Sequence, residues 1–207
     1  MSNFQNLRTS ILVHITDVKA ADSILNSGQM RCSKVGMLGP GVYFAENKAA
    51  ADLKAHRKGA IVISAVNLGK LYEVYGPDKQ LTLAELKKQN FDSVRGYKSK
   101  SPECKNFNTG TEFCVFEENR ITPLFAQFFK SDGTPYYKVR TSGSVKEVPN
   151  IPLDHLVIKM TENDISICDT EKNVYSVIPH SEPLMHGRRI IFTNEGEFEF
   201  TKVIHRL

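Results

Sequence analysis

The chain has 207 residues, a net charge of +4, 41% hydrophobic and 24% charged residues, the composition of a globular protein with one large domain or a medium one and a small partner. No apolar run approaches the ~18 residues of a membrane span, and the opening MSNFQNLRTS lacks the apolar core of a secretory signal. Cys32, Cys104, Cys114 and Cys168 are scattered without a CxxC pair and the histidines lack ligand spacing, so we expect reduced thiols, a cytoplasmic or nuclear location and no metal.

The first predicted element is an apolar strand from Leu7 to Ile15 that carries His14 near its end. Thr16 and Asp17 are N-cap candidates for a short helix over Ala20–Leu25, stopped by Asn26-Ser27-Gly28. A loop rich in Gly, Ser and Lys follows over 29–40, then a short strand, Val42–Ala45. The Ala-rich stretch Lys48–His56 predicts a helix ending at Gly59. Ala60–Val66 is continuous and β-branched, the pattern of a central strand, and Leu71–Val74 is another strand. Leu81–Gln89 predicts a short amphipathic helix. Asp92–Val94 reads as a short strand, 96–111 as a loop, Glu112–Phe116 as a strand, and Ile121–Phe129 as a strand reached through the polar turn Glu117–Arg120. Ser131–Pro135 reads as a boundary turn or linker. Beyond it, residues 136–207 hold short alternating runs around Val139, Val157, Ile167, Val177, Ile190 and Phe198. These predict a small antiparallel β unit, so the expected domains are 1–130 and 131–207.

Charge follows the same division. Residues 131–207 carry nine Lys/Arg against eleven Asp/Glu, whereas the remainder carries eighteen against twelve. A mildly basic first part suits an anionic ligand, and equally an ordinary solvated surface. Lys34, Lys54, Arg57 and Lys58 are its candidates for meeting a pyrophosphate. Gly39-Pro40-Gly41 leads directly into Val42-Tyr43-Phe44-Ala45, a backbone that a flat ligand can approach, with an aromatic ring beside it. Taken singly, Tyr43 reads as core, His14 as a satisfied strand-end residue and Glu112 as a solvated strand start.

Read together, residues 13–129 resemble the catalytic domain of the poly(ADP-ribose) polymerase family, the diphtheria-toxin-like ADP-ribosyltransferases. Five segments carry the resemblance in order: Val13-His14-Ile15-Thr16 with Ile24–Gly28; Gly41–Ala45 with Lys48–Ala51; Val66-Asn67-Leu68-Gly69-Lys70; Phe91-Asp92-Ser93-Val94; and Glu112–Phe116 with Arg120-Ile121 and Leu124-Phe125. The resemblance implies an α+β fold, a split antiparallel β-sheet with short flanking helices. It implies NAD as co-substrate, with His14, Tyr43 and Glu112 as the catalytic triad. It also places His14, Ile15, Thr16, Gly41, Tyr43 and Ala49 around NAD. Cleaving the nicotinamide–ribose bond leaves positive charge on the ribose, which a carboxylate such as Glu112 stabilises. Tyr43 would stack on nicotinamide, and a neutral His14 would bond a ribose hydroxyl.

The sequence departs from the family pattern at three places. Ile15 stands where the family has Gly, Ala49 where it often has Ser, and Asp52 or Leu53 where a second stacking Tyr is usual. The segment between Val94 and Glu112 is short for the acceptor loop of polymer-forming members, which points to single-unit transfer. A protein acceptor is expected, with nucleic acid as a further candidate. Two other readings stand beside transfer. One is a catalytically weak or inactive NAD-binding or interaction module. The other is an RNA 2′-phosphotransferase, which would need an Arg/His cluster that the sequence lacks.

Overall fold

The computed structural model describes residues 9–52, 55, 58–75, 81–97, 111–148, 155–160, 164–179, 188–192 and 198–202. β1 (Thr9–Thr16) runs into α1 (Val18–Ser27), whose start and stop are written locally. Asp17 Oδ1 accepts the Ala20 N–H at 2.8 Å, satisfying one of the orphan donors of the first turn. Gly28 follows with φ +70°, and its N–H donates to Ile24 O at 2.8 Å. β2 (Val42–Ala45), the one-and-a-half-turn α2 (Lys48–Asp52), β3 (Ala60–Asn67) and β4 (Leu71–Val74) come next. α3 (Leu83–Lys88) is opened by a capping box in which Thr82 Oγ1 accepts from Glu85 N and Glu85 Oε2 accepts from Thr82 N. β5 (Ser93–Tyr97), β6 (Thr111–Val115), a 3-10 turn at Glu118–Arg120 and β7 (Ile121–Phe129) complete the expected series.

These strands, with β8 (Pro135–Arg140) and β9 (Val145–Val148), make one nine-stranded sheet in the order β4-β5-β6-β2-β1-β3-β7-β8-β9. The fold is α+β and its large sheet is antiparallel except for the β4–β5 pair, whose parallel crossover contains α3. β3 is buried along its whole length, which is why its sequence is continuously apolar rather than alternating. β1 and β3 pair over eight residues, but β1 and β2 share the single register pair Val13↔Ala45. That seam divides the sheet.

The turn expected as a domain boundary is a hairpin. Lys130 N donates to Thr134 O, Gly133 N donates to Lys130 O, and β7 pairs directly with β8. Residues 135–148 therefore extend the large sheet instead of opening a separate unit. A Gly-containing polar turn has the same composition whether it joins strands or domains. The second sheet begins only at β10 (Leu156–Met160) and adds β11 (Asp164–Asp169), β12 (Val174–Pro179), β13 (Arg188–Phe192) and β14 (Phe198–Lys202) in the order β12-β11-β10-β13-β14. The two sheets share one core. Ile11, Val13, Ile63, Phe125, Tyr137 and Val139 of the first cluster with Leu156, Ile158, Ile165 and Ile167 of the second.

Two other devices fix the site's surroundings. On one face α1 buries Ala21 and Leu25 against Val62, Ala126 and Phe128, and Lys138 of β8 reaches Asp22 of the helix at 2.7 Å. At the β4–β5–β6 end, Asp92 and Glu117 are shared by two cations. Lys87 Nζ stands 2.8 Å from each, and Arg120 stands 2.7 Å from Asp92 and 2.8 Å from Glu117. Asp92 also accepts the Lys70 N–H at 2.8 Å, tying in the turn between β3 and β4. Among the described residues, no helix is long and apolar enough to cross a membrane.

Candidate active site

His14, Tyr43 and Glu112, far apart in sequence, arrive on three neighbouring strands, β1, β2 and β6. The register aligns them closely. Val13 pairs with Ala45, Ala45 with Glu112, and Tyr43 with Cys114. Side chains of directly paired residues share a face, so Tyr43, Ala45, Cys114 and Glu112 form one patch. Glu112 is only 6% exposed, unlike the solvated carboxylate that its place at a strand start suggests.

His14 stands at the seam itself. Its Nδ1 lies 2.8 Å from Tyr43 O. A carbonyl can only accept, so Nδ1 carries the proton. Burial holds the imidazole below its usual pKa, against the raising effect of that bond, and keeps it neutral near pH 7. Nε2 is then a bare acceptor, suited to a hydroxyl donor. The ring edge meets Phe44 at 6.0 Å between centroids, and Phe44 leaves β2 on the face opposite Tyr43. The link from His14 to the Tyr43–Glu112 patch thus runs through the main chain of β2.

Tyr43 is partly buried, and its hydroxyl is engaged. It accepts the Leu38 N–H at 2.9 Å and donates to Gly39 O at 2.6 Å. Burial first, then the neighbouring Cys114 and Glu112, push the phenol far above its ordinary pKa, so it remains a donor. Cys114, which the sequence reading did not single out, backs the ring. Its Sγ is 3.8 Å from Gly39 O, and burial raises its pKa as well. Alternation from Glu112 was the available signal for its direction.

Gly41 has a packing role in the sheet. A Cβ there would lie 2.6 Å from Cys114 Sγ and 2.8 Å from Val115 O. The missing side chain is needed for the approach of β6, and that space is not open to a ligand. Ile15 packs against the core shared by both sheets. Thr16 is buried at the end of β1, opposite Ala60. Ala49 lies on the exposed side of α2, whereas Ala50 and Ala51 face the core, so the structure does not bring Ala49 to the patch. Of the basic residues, Lys34 is exposed and Lys58 pairs with Asp52 at 2.9 Å, while Lys54 and Arg57 lie outside the described residues. So does the acceptor-loop candidate over 98–110. Among the described residues, no group of His, Cys, Asp and Glu is arranged to hold a metal ion.

The model of the poly(ADP-ribose) polymerase catalytic domain matches residues 2–125, more than half of the chain. No curated protein matches the sequence.

Proposed function

The chain belongs to the poly(ADP-ribose) polymerase catalytic-domain family, and on that premise we propose that it transfers ADP-ribose from NAD to a protein acceptor, one unit at a time, with release of nicotinamide. What supports the proposal is that His14, Tyr43 and Glu112 stand on the neighbouring strands β1, β2 and β6, with the His14 ring bonded to the main-chain carbonyl of Tyr43.

NAD supplies a glycosidic bond with a good leaving group, so the protein's work is to hold it and to stabilise charge. The bare Nε2 of His14 accepts a hydrogen bond from a ribose hydroxyl. The exposed part of the Tyr43 ring gives nicotinamide a flat apolar contact. Glu112, buried at 6% exposure, faces positive charge developing on the ribose, and low surrounding polarity strengthens that attraction. The main chain of Ile15, in register with Ile61 of β3, stands where the family's glycine would meet the amide. The short segment between β5 and β6 supports single-unit transfer. The unpaired thiols of Cys32, Cys114 and Cys168 favour a reducing compartment, cytoplasmic or nuclear.

A second reading, an NAD-binding module with little turnover, draws on two observations. The Ile15 side chain packs into the core where the family has glycine, and Ala49 lies on the exposed side of α2. Incubation with labelled NAD beside a Glu112→Gln variant decides between them. We expect label on protein and free nicotinamide with the native chain, and a loss of about 100-fold or more in the variant. Binding of NAD without turnover selects the second reading. Absence of both overturns the NAD site, and a ladder of products instead of single additions overturns single-unit transfer.

A further inference from the structure

The loop between α1 and β2 is fastened at several points. Cys32 N donates to Glu118 Oε1 at 3.0 Å, and Ser33 bonds Gly41 O through both its N–H and its hydroxyl, at 3.0 and 2.9 Å. At its far end the loop folds over the Tyr43–Glu112 patch. Leu38 is 1% exposed and packs with Leu81, Leu86, Val94, Cys114 and Phe116. Its methyl groups rest on Gly96, where an added Cβ would come within 2.9 Å of them. Gly96 is the register partner of Glu112. Leu38 therefore closes the sheet surface beside the Glu112 carboxylate.

A side-chain hydroxyl fastens that end. Tyr43 Oη takes the Leu38 N–H and gives its proton to Gly39 O, so one hydroxyl satisfies a main-chain group in each of two consecutive residues. The fit leaves no slack, because a Cβ at Gly36 would collide with the same hydroxyl oxygen and ring. Gly39 itself has φ +101°, a conformation glycine tolerates and other residues do not.

We propose that the Tyr43 hydroxyl is a positioning group that clasps the Gly36–Gly39 loop, holding Leu38 over Gly96 and keeping water from Glu112. This is separate from the stacking assigned to the ring, and its catalytic consequence rests on the transferase reading. Exclusion of water matters there because water competes with the acceptor. In the competing reaction the C–N bond to nicotinamide breaks, nicotinamide leaves with the bonding pair, and water oxygen bonds to the ribose carbon as its proton passes to solvent. A loose clasp therefore raises the share of NAD that is hydrolysed.

Tyr43→Phe keeps the ring and removes the clasp. Gly36→Ala attacks the clasp from the loop side. Two readouts are needed. The first is hydrogen exchange at the Leu38 amide in the full chain, which we expect to quicken about tenfold in both variants, in keeping with the loss of one net hydrogen bond. The second is the ratio of free ADP-ribose to protein-bound ADP-ribose, which we expect to rise several-fold in both. Unchanged exchange at Leu38 overturns the clasp. Faster exchange with an unchanged product ratio overturns its role in excluding water. If the native chain does not turn NAD over, the transferase reading fails, and the exchange measurement alone still decides the clasp.

Discussion

β1, β3 and β7, at the centre of the large sheet, pack through dehydrated apolar contact, whereas the β4–β5–β6 wing adds a network of charges to its own buried apolar cluster. Val62, Leu124, Phe125 and Ala126 at the centre are all 0% exposed. In the wing, Lys87, Asp92, Glu117 and Arg120 tie α3, the start of β5 and the turn before β7 through contacts of 2.7–2.8 Å. His14 stands on the first kind of support and Glu112 borders the second. The two candidate site residues therefore answer to different perturbations, and that difference can be tested.

The largest effect belongs to the centre. Phe125 joins the two sheets and meets Tyr137 edge-on at 6.5 Å. Phe125→Ala removes a fully buried ring from the shared core, and we expect urea denaturation to read a loss of about 3–5 kcal/mol. A loss under about 1 kcal/mol would mean that the sheets do not share a core. Asp92→Asn is the matching change in the wing. Asp92 accepts from Lys87, Arg120 and the Lys70 amide, but it is partly open to solvent, so we expect a loss of about 1–2 kcal/mol. A loss as large as that of Phe125→Ala would erase the contrast.

Acid separates the regions by pH instead of by size. His14 has its pKa lowered by burial, so the unfolded chain binds more protons than the folded one below the ordinary value of 6.5, and stability falls as pH drops from there towards the folded pKa. Asp92 and Glu117, although desolvation opposes it, are held below their ordinary values of 3.8 and 4.5 by Lys87, Arg120 and, for Asp92, the Lys70 amide. Their contribution is complete above those values and is lost as pH falls through the lower folded ones. Stability against pH should thus decline in two stages. His14→Gln should flatten the upper stage and Asp92→Asn the lower; a profile that either variant leaves unchanged would refute that assignment.

Much of this arrangement was legible beforehand, for physical reasons that differ by residue. Asp17 and Gly28 bracket α1 because cap chemistry is local. Ile121–Phe129 and the β-branched run from Ala60 gave their strands directly, since burial on both faces demands such residues. The triad could be listed, but its face could not. Register between β1, β2 and β6 depends on pairings across scores of residues, and one step of register reverses every side chain. For the same reason the packing of Cys114 against Gly41 could not be read from the sequence. β9 was missed because Val145–Val148 is a short, half-exposed edge with little apolar signal. The Tyr43 clasp left only a faint trace, the spacing of Gly36, Gly39 and Gly41 around one hydroxyl.

The hairpin through Asp132 and Gly133 also bears on how such a chain can be inherited and rearranged. A gene fusion or recombination event that cut at this turn would separate Phe125, Ala126 and Phe128 from their register partners Val139, Lys138 and Tyr136. It would also strip Asp22 of Lys138, and with it one of the ties that seat α1. The large sheet runs on to Val148, and its core continues into Leu156, Ile158, Ile165 and Ile167 of the second sheet. The unit that evolution can pass on intact is therefore longer than the family-matched stretch.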